Sequence, residues 1–230
     1  MIRENILKIK EQIVSICSRT NRSPQDITIV AVTKNRSSEQ IKEVIGAGII
    51  DIGENRVQEA FLKYSSVRST LYAVRVKWHM VGHLQTNKVK EAVKFFACIQ
   101  SVDSLRLAKE INKQAANIGK IQDIMLEVKT SPEATKFGLK PEEARETIRE
   151  LAVLENLKVL GLMTIAPLLD DPEQTRPYFR KLRELRDKIN QLSAISYQLS
   201  ALSMGMTDDF AVAIEEGSTM VRLGRAIFED

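Results

Sequence analysis

Ile27-Thr28-Ile29-Val30-Ala31-Val32-Thr33-Lys34 is a nearly unbroken β-branched run that stops at a lysine. Such a run reads as a strand buried on both faces, as in a parallel sheet covered by helices. Side chains alternate along a strand, so Thr28, Val30, Val32 and Lys34 share one face. The lysine amine then lies at the strand's carboxyl end, where the βα loops of α/β proteins carry their chemistry. A solvated loop lysine that merely ends a strand would look the same from this segment alone.

The rest of the chain repeats the unit. Ile2, Ile6, Ile9, Ile13 and Ile16 recur at helical spacing, and Asn21-Arg22-Ser23-Pro24 breaks that opening helix before the strand. A helix over 38–47 is stopped by Gly48, and a short strand over 49–53 leads into a second helix. Strands are expected over 74–81 and 95–101, with helices running to Lys94 and to Asn117, the latter capped by Asp103 or Ser104. A strand over 121–128 precedes a helix over 141–154, with proline at a tolerated first-turn position. Then come strand 157–165, helix 172–192, strand 195–199, helix 207–216 and a last strand over 219–223. Eight strands, each but the last followed by a helix, point to an α/β fold: one (β/α)8 TIM barrel with an additional N-terminal helix. No linker or low-complexity segment divides the sequence, so residues 1–230 read as one domain.

Composition excludes several classes. Hydrophobic residues at 43% and charged residues at 28% are ordinary for a soluble globular protein. The net charge of +4 is spread among interleaved acids and bases, and aromatics at 5% leave few platforms for stacking bases, so nucleic acid is not expected as a partner. Cys17 and Cys98 form no paired motif and read as small buried hydrophobes in a reducing compartment. The first residues lack a signal-peptide core, and no run approaches the ~18 apolar residues that span a bilayer. A cytoplasmic, soluble protein with no membrane partner is expected.

Two segments near the end could hold an anion. Barrels often bind phosphate with the loops after strands seven and eight and a short helix N-terminus. Here those loops read Ser200-Ala201-Leu202-Ser203-Met204-Gly205-Met206-Thr207 and Arg222-Leu223-Gly224-Arg225. The first offers hydroxyls, a glycine and a helix expected to begin near Thr207; the second offers backbone N–H groups around Gly224. A turn at Gly205, a cap at Thr207 and core methionines at 204 and 206 would satisfy the same pattern, and Asp208 and Asp209 would oppose a carelessly placed anion. Arg222 shares a strand face with Met220 and Gly224, so if Gly224 lines a phosphate pocket Arg222 points into the same cavity; a buried carboxylate such as Glu54 or Glu127 is its alternative partner. His79 and His83 are separated by Gly82 and lack a third ligand, so no metal site is expected.

Taken together, the sequence resembles the pyridoxal 5′-phosphate homeostasis protein family, whose members look like the barrel domain of fold-type III enzymes such as alanine racemase. The motifs are Ala31-Val32-Thr33-Lys34, Gly53-Glu54-Asn55-Arg56-Val57-Gln58-Glu59, Trp78-His79-Met80-Val81-Gly82-His83-Leu84-Gln85-Thr86-Asn87-Lys88, Gly161-Leu162-Met163-Thr164, Leu202-Ser203-Met204-Gly205-Met206-Thr207-Asp208-Asp209 and Val221-Arg222-Leu223-Gly224-Arg225-Ala226-Ile227-Phe228. The resemblance implies pyridoxal 5′-phosphate (PLP) as cofactor, held as a Schiff base on Lys34. It implies Ser203, Gly205, Thr207 and Gly224 around the phosphate together with Ser200, and Arg222 facing the pyridine nitrogen. Asn55, Met80 and His83 follow as neighbours of the pocket. Where the family often has Lys-Thr-Lys-Pro or Lys-Gly-Val, this chain has Lys34-Asn35-Arg36-Ser37, so its first loop departs from the pattern.

A guanidinium has donors and no acceptor, so opposite the ring nitrogen it leaves that nitrogen unprotonated and weakens the ring as an electron sink. Racemisation also needs acid–base groups on both faces of the substrate carbon, and alanine racemase draws one from a second domain that is not seen here. The expectation is therefore a monomeric protein that stores, buffers or transfers PLP, with PLP-dependent apo-enzymes as partners and effects on amino-acid and keto-acid balance. A PLP-dependent amino-acid racemase and a cofactor-free phosphosugar barrel are the competing readings.

Overall fold

The first β-branched run forms β1 (Thr28–Val32). Its even-numbered and odd-numbered side chains part to opposite faces as the alternation requires: Ala31 and Ile29 pack outward against helices, while Val30 and Val32 face inward beside Gly53. A Cβ on Gly53 would lie 2.9 Å from Val30, so only glycine lets these strands meet there. The computed structural model describes residues 1–68, 75–133, 137–191 and 198–229.

The remaining strands are β2 (Asp51–Glu54), β3 (Lys77–Met80), β4 (Cys98–Val102), β5 (Gln122–Glu127), β6 (Leu157–Met163), β7 (Ala201–Ser203) and β8 (Met220–Leu223). They pair in parallel, in sequence order, and close with β8 against β1 through Thr28↔Met220 and Val30↔Arg222. The expected (β/α)8 barrel with its extra N-terminal helix is what the chain forms.

The helices are α1 (Ile2–Arg19), α2 (Ser38–Gly46), α3 (Val57–Val67), α4 (Val89–Phe95), α5 (Leu105–Ala116), α6 (Pro141–Leu151), α7 (Arg176–Asn190), α8 (Phe210–Glu215) and α9 (Arg225–Phe228). All five isoleucines of α1 are buried, which fixes it against the barrel's outer layer. Ser104 caps α5, its hydroxyl accepting the Leu107 N–H at 3.3 Å. The main core lies between strands and helices, with Trp78, Phe96 and Phe179 among its largest side chains. A smaller cluster of Cys98, Met125 and Met163 fills the barrel interior.

Three expectations at the C-terminal end need correction. The seventh strand is Ala201–Ser203, not 195–199, of which 195–197 lie outside the described residues. The following helix begins at Phe210, not near Thr207, because the Asp209 carboxylate accepts the Met206 N–H at 2.6 Å and holds 206–209 as a turn. The last strand is followed by a short helix, α9, where none was expected.

Candidate functional site

The carboxyl ends of the strands form one rim, and β1 and β8 are neighbours on it. Thr33 continues the ladder, donating its N–H to the Gly53 carbonyl at 2.9 Å, so Lys34 emerges at the rim as an exposed side chain. Its backbone is clamped on both sides. Lys63 of α3 donates to the Thr33 carbonyl at 2.5 Å, and Glu59 accepts the Asn35 N–H at 2.9 Å. Asn35 takes a left-handed φ of 59°, and Ser37 then opens α2 with a reciprocal capping box to Gln40. This is how the departing Lys34-Asn35-Arg36-Ser37 loop is accommodated.

The clamp is itself buried. Lys63 bridges Glu54 at 2.8 Å and Glu59 at 2.6 Å, and the Thr33 hydroxyl donates to Glu54. Glu54 is fully buried, and burial pushes its carboxyl above the usual range despite those partners.

Gly224 follows β8 directly beside β1: a Cβ there would meet only the Val32 carbonyl at 3.6 Å and the Val32 Cβ at 3.8 Å. Thr207 reaches the same place, its hydroxyl accepting the Ala226 N–H of α9 at 3.2 Å. Gly205, at φ 94°, could take no side chain, because a Cβ would lie 2.5 Å from that of Ala213. Its carbonyl accepts the Arg222 N–H at 3.0 Å. Asp208 pairs with Arg225 and Asp209 binds the backbone, so neither carboxylate is left loose toward the rim.

Arg222 is buried inside the barrel just below Gly224. Neither carboxylate suggested by sequence receives it in an ion pair. It donates to the Ser203 hydroxyl at 2.6 Å and to the Thr164 carbonyl at 2.8 Å. Burial lowers its pKa to about 10, which leaves it cationic at neutral pH, with further donors beyond the two it uses.

Beneath it runs a polar chain the sequence did not announce. Ser203 donates to Gln100 at 2.6 Å, Gln100 meets His79 Nδ1 at 3.0 Å, and His79 Nε2 meets Asp51 at 2.9 Å. Because arginine can only donate, Ser203 must pass its proton to the Gln100 carbonyl. Gln100 then donates to Nδ1, which places the His79 proton on Nε2, toward Asp51.

On the β2–β3 side of the rim, Gly82 lets the two loops touch: a Cβ would lie 2.6 Å from the Asn55 carbonyl. That contact brings Asn55 beside His83, whose ring stacks on Phe137 at 3.8 Å and bonds Asp103 at 2.9 Å. Asn55, His83 and Glu127 line a hollow of about 280 Å³. Thus Lys34, Ser203, Gly205, Thr207, Arg222 and Gly224 gather around β7, β8 and β1, and Asn55 and His83 stand on the loops after β2 and β3, next around the rim. Met80 points away, into the layer between barrel and helices. Ser200 is at the amino end of β7, three residues from Ser203 and away from the rim.

Comparison with known proteins identifies the family. The sequence profile described as alanine racemase, N-terminal domain, matches residues 5–230. The pyridoxal phosphate homeostasis protein of Aquifex aeolicus (strain VF5) is 42% identical over 98% of this chain and 96% of its own. That of Synechocystis sp. (strain ATCC 27184 / PCC 6803 / Kazusa) is 39% identical over 90% and 93%. The structure of PipY of Synechococcus elongatus PCC7942 with PLP bound superposes with a TM-score of 0.87 at 33% identity, over 99% of this chain and all of that one. An alanine racemase of Clostridium difficile 630 shares the fold at a TM-score of 0.73 and 19% identity, this chain spanning 56% of it. With an alanine-racemase-type barrel and full-length relatives of that name, the chain belongs to the pyridoxal phosphate homeostasis protein family.

Proposed function

We propose that this protein binds pyridoxal 5′-phosphate as a Schiff base on Lys34 and acts in PLP homeostasis, storing the cofactor in the cytoplasm and yielding it to PLP-dependent apo-enzymes. The observation that carries the reading is that Lys34 and the Gly205–Thr207 and Gly224 loops stand on adjacent strands of one rim, with cationic Arg222 just below. The residues fit such a group. Gly224, which puts no side chain over the Val32 backbone, and the nearby Thr207 hydroxyl suit a phosphate, and Arg222 keeps donors for a ring nitrogen. PipY, at 33% identity, is described with PLP bound, which supports the same ligand here.

Bound there, the cofactor supplies an electrophilic aldehyde carbon and a ring able to accept electrons. The protein's part is to present the amine of Lys34 on a clamped backbone and to hold Arg222, a cation with donors only, where it would meet the ring nitrogen. That cation disfavours ring protonation and so carbanion formation, which favours holding the cofactor over racemising an amino acid. The visible spectrum tests the reading: PLP added to the protein gives a yellow species that hydroxylamine discharges, and Lys34→Ala does not form it. A colourless wild-type protein after PLP addition would refute the proposal.

A further inference from the structure

Glu127 ends β5, on the side of the closed barrel opposite β1, and shares the interior face of its strand with Met125, so its carboxylate lies on the same rim that carries Lys34. It is only 6% exposed, and what is exposed faces the 280 Å³ hollow. Among the described residues no hydrogen bond or ion pair engages its carboxylate, an unusual state for a buried acid away from a ligand. Asn55, Val81, His83, Phe137 and Ile165 stand in the same wall, a mostly apolar lining sized for a small molecule. Lys129 adds a cation at the edge.

We propose that the hollow receives a small α-amino acid and that Glu127 is the residue that takes the proton from its ammonium group. An amine attacks only through its lone pair, so R–NH3⁺ must first become R–NH2. The transfer R–NH3⁺ + Glu127–COO⁻ → R–NH2 + Glu127–COOH balances, and the same proton can return to the Lys34 nitrogen as it is displaced. Lys129 and the His83 ring edge suit the carboxylate of the amino acid, and Val81, Ile165 and Phe137 its side chain. This rests on the Lys34 reading above and extends it: the hollow is where an amine enters to lift the cofactor off the protein.

The charges around Glu127 set its range. Burial and Asp103, after β4, hold its proton on, Arg222 of β8 opposes them, and the outcome is a carboxyl pushed up to about 7. His83, after β3, is engaged by Asp103, and Lys129 follows Glu127 on its own strand end. A group poised there can both accept and return a proton near neutrality.

The test compares two amines acting on the yellow protein. Glycine is protonated at neutral pH and needs a proton acceptor; methoxyamine is already neutral and does not. Glu127→Gln should slow discharge by glycine about a hundredfold and discharge by methoxyamine by no more than about twofold. The wild-type glycine rate should rise with pH and level off once Glu127 has lost its proton, whereas the slower variant rate should keep rising as glycine sheds its own ammonium proton. In ligand-free protein, the infrared difference between wild type and Glu127→Gln should show a carboxyl that titrates near neutrality. Equal slowing with both amines, or undiminished glycine discharge by a yellow variant, overturns the role of Glu127 alone. Absence of any yellow wild-type species overturns the Lys34 reading, and this inference with it.

Discussion

Replacing Lys63 by Met removes the cation from the clamp beneath Lys34. Lys63 donates to the Thr33 carbonyl, to Glu54 and to Glu59, and its side chain is 10% exposed against none for Glu54. One Glu54 oxygen already lacks a hydrogen-bond partner, so without Lys63 the carboxylate keeps only the Thr33 hydroxyl. Removing one member of a buried pair typically costs about 3–5 kcal/mol, because the other charge is stranded. In a chain of this length each kcal/mol moves Tm by about 2–4 °C, so Lys63→Met should lower Tm by roughly 6–20 °C at pH 8. Burial already raises the Glu54 pKa; a carboxyl whose folded value is raised penalises folding as pH rises through that value. The deficit of Lys63→Met should therefore shrink as pH falls and Glu54 takes a proton. Adding Glu54→Gln should recover part of the lost stability at pH 8 by removing the stranded charge. Scanning calorimetry of wild type and both variants at pH 5 and pH 8 decides it. A pH 8 Tm for Lys63→Met equal to wild type, or a double variant as unstable as the single, would mean that Lys63 does not offset a buried Glu54 charge.

Two glycines separate fold from ligand. Gly205→Ala meets Ala213 and Phe210 at a positive φ and should lose about 2–4 kcal/mol in denaturant melts. Gly224→Ala finds only Val32 at ordinary contact distance, so it should stay within about 1 kcal/mol of wild type while PLP affinity falls about tenfold or more by titration. Glu127→Gln reports on a buried carboxyl whose folded pKa, about 7, exceeds the ordinary 4.5. Both states hold the proton below 4.5, so variant and wild type should match at pH 4. Between 4.5 and 7 wild-type stability falls, and the variant should lead by up to about 3 kcal/mol at pH 8 in urea melts.

Much of the barrel was legible because its strands are β-branched runs and its helices carry clear apolar faces. The 27–34 stretch yields β1, its inward face and the place of Lys34 without any long-range information. Sequence places the seventh unit early for a physical reason: β7 has three residues, too few for alternation to mark, while Ile195, Tyr197 and Leu199 alternate with polar residues just before it. The start of α8 was missed because the Asp209 carboxylate caps a turn instead of opening a helix. Gln100 and His79 could not be linked to Arg222 from sequence, since β4 meets β7 and β8 only across the closed interior. The available signal was an uncharged amide inside Cys98-Ile99-Gln100-Ser101-Val102, a polar group that had to find a partner. Likewise Glu127 reads as one more strand-end acid until the hollow and its unpaired carboxylate are seen together.

The most direct measurement of the central claim is to load the protein with PLP, reduce it with borohydride, digest it and map the phosphopyridoxyl adduct by mass spectrometry. One stoichiometric adduct is expected, on the peptide carrying Lys34. An adduct on another lysine, or a loaded protein that borohydride does not modify, would contradict it.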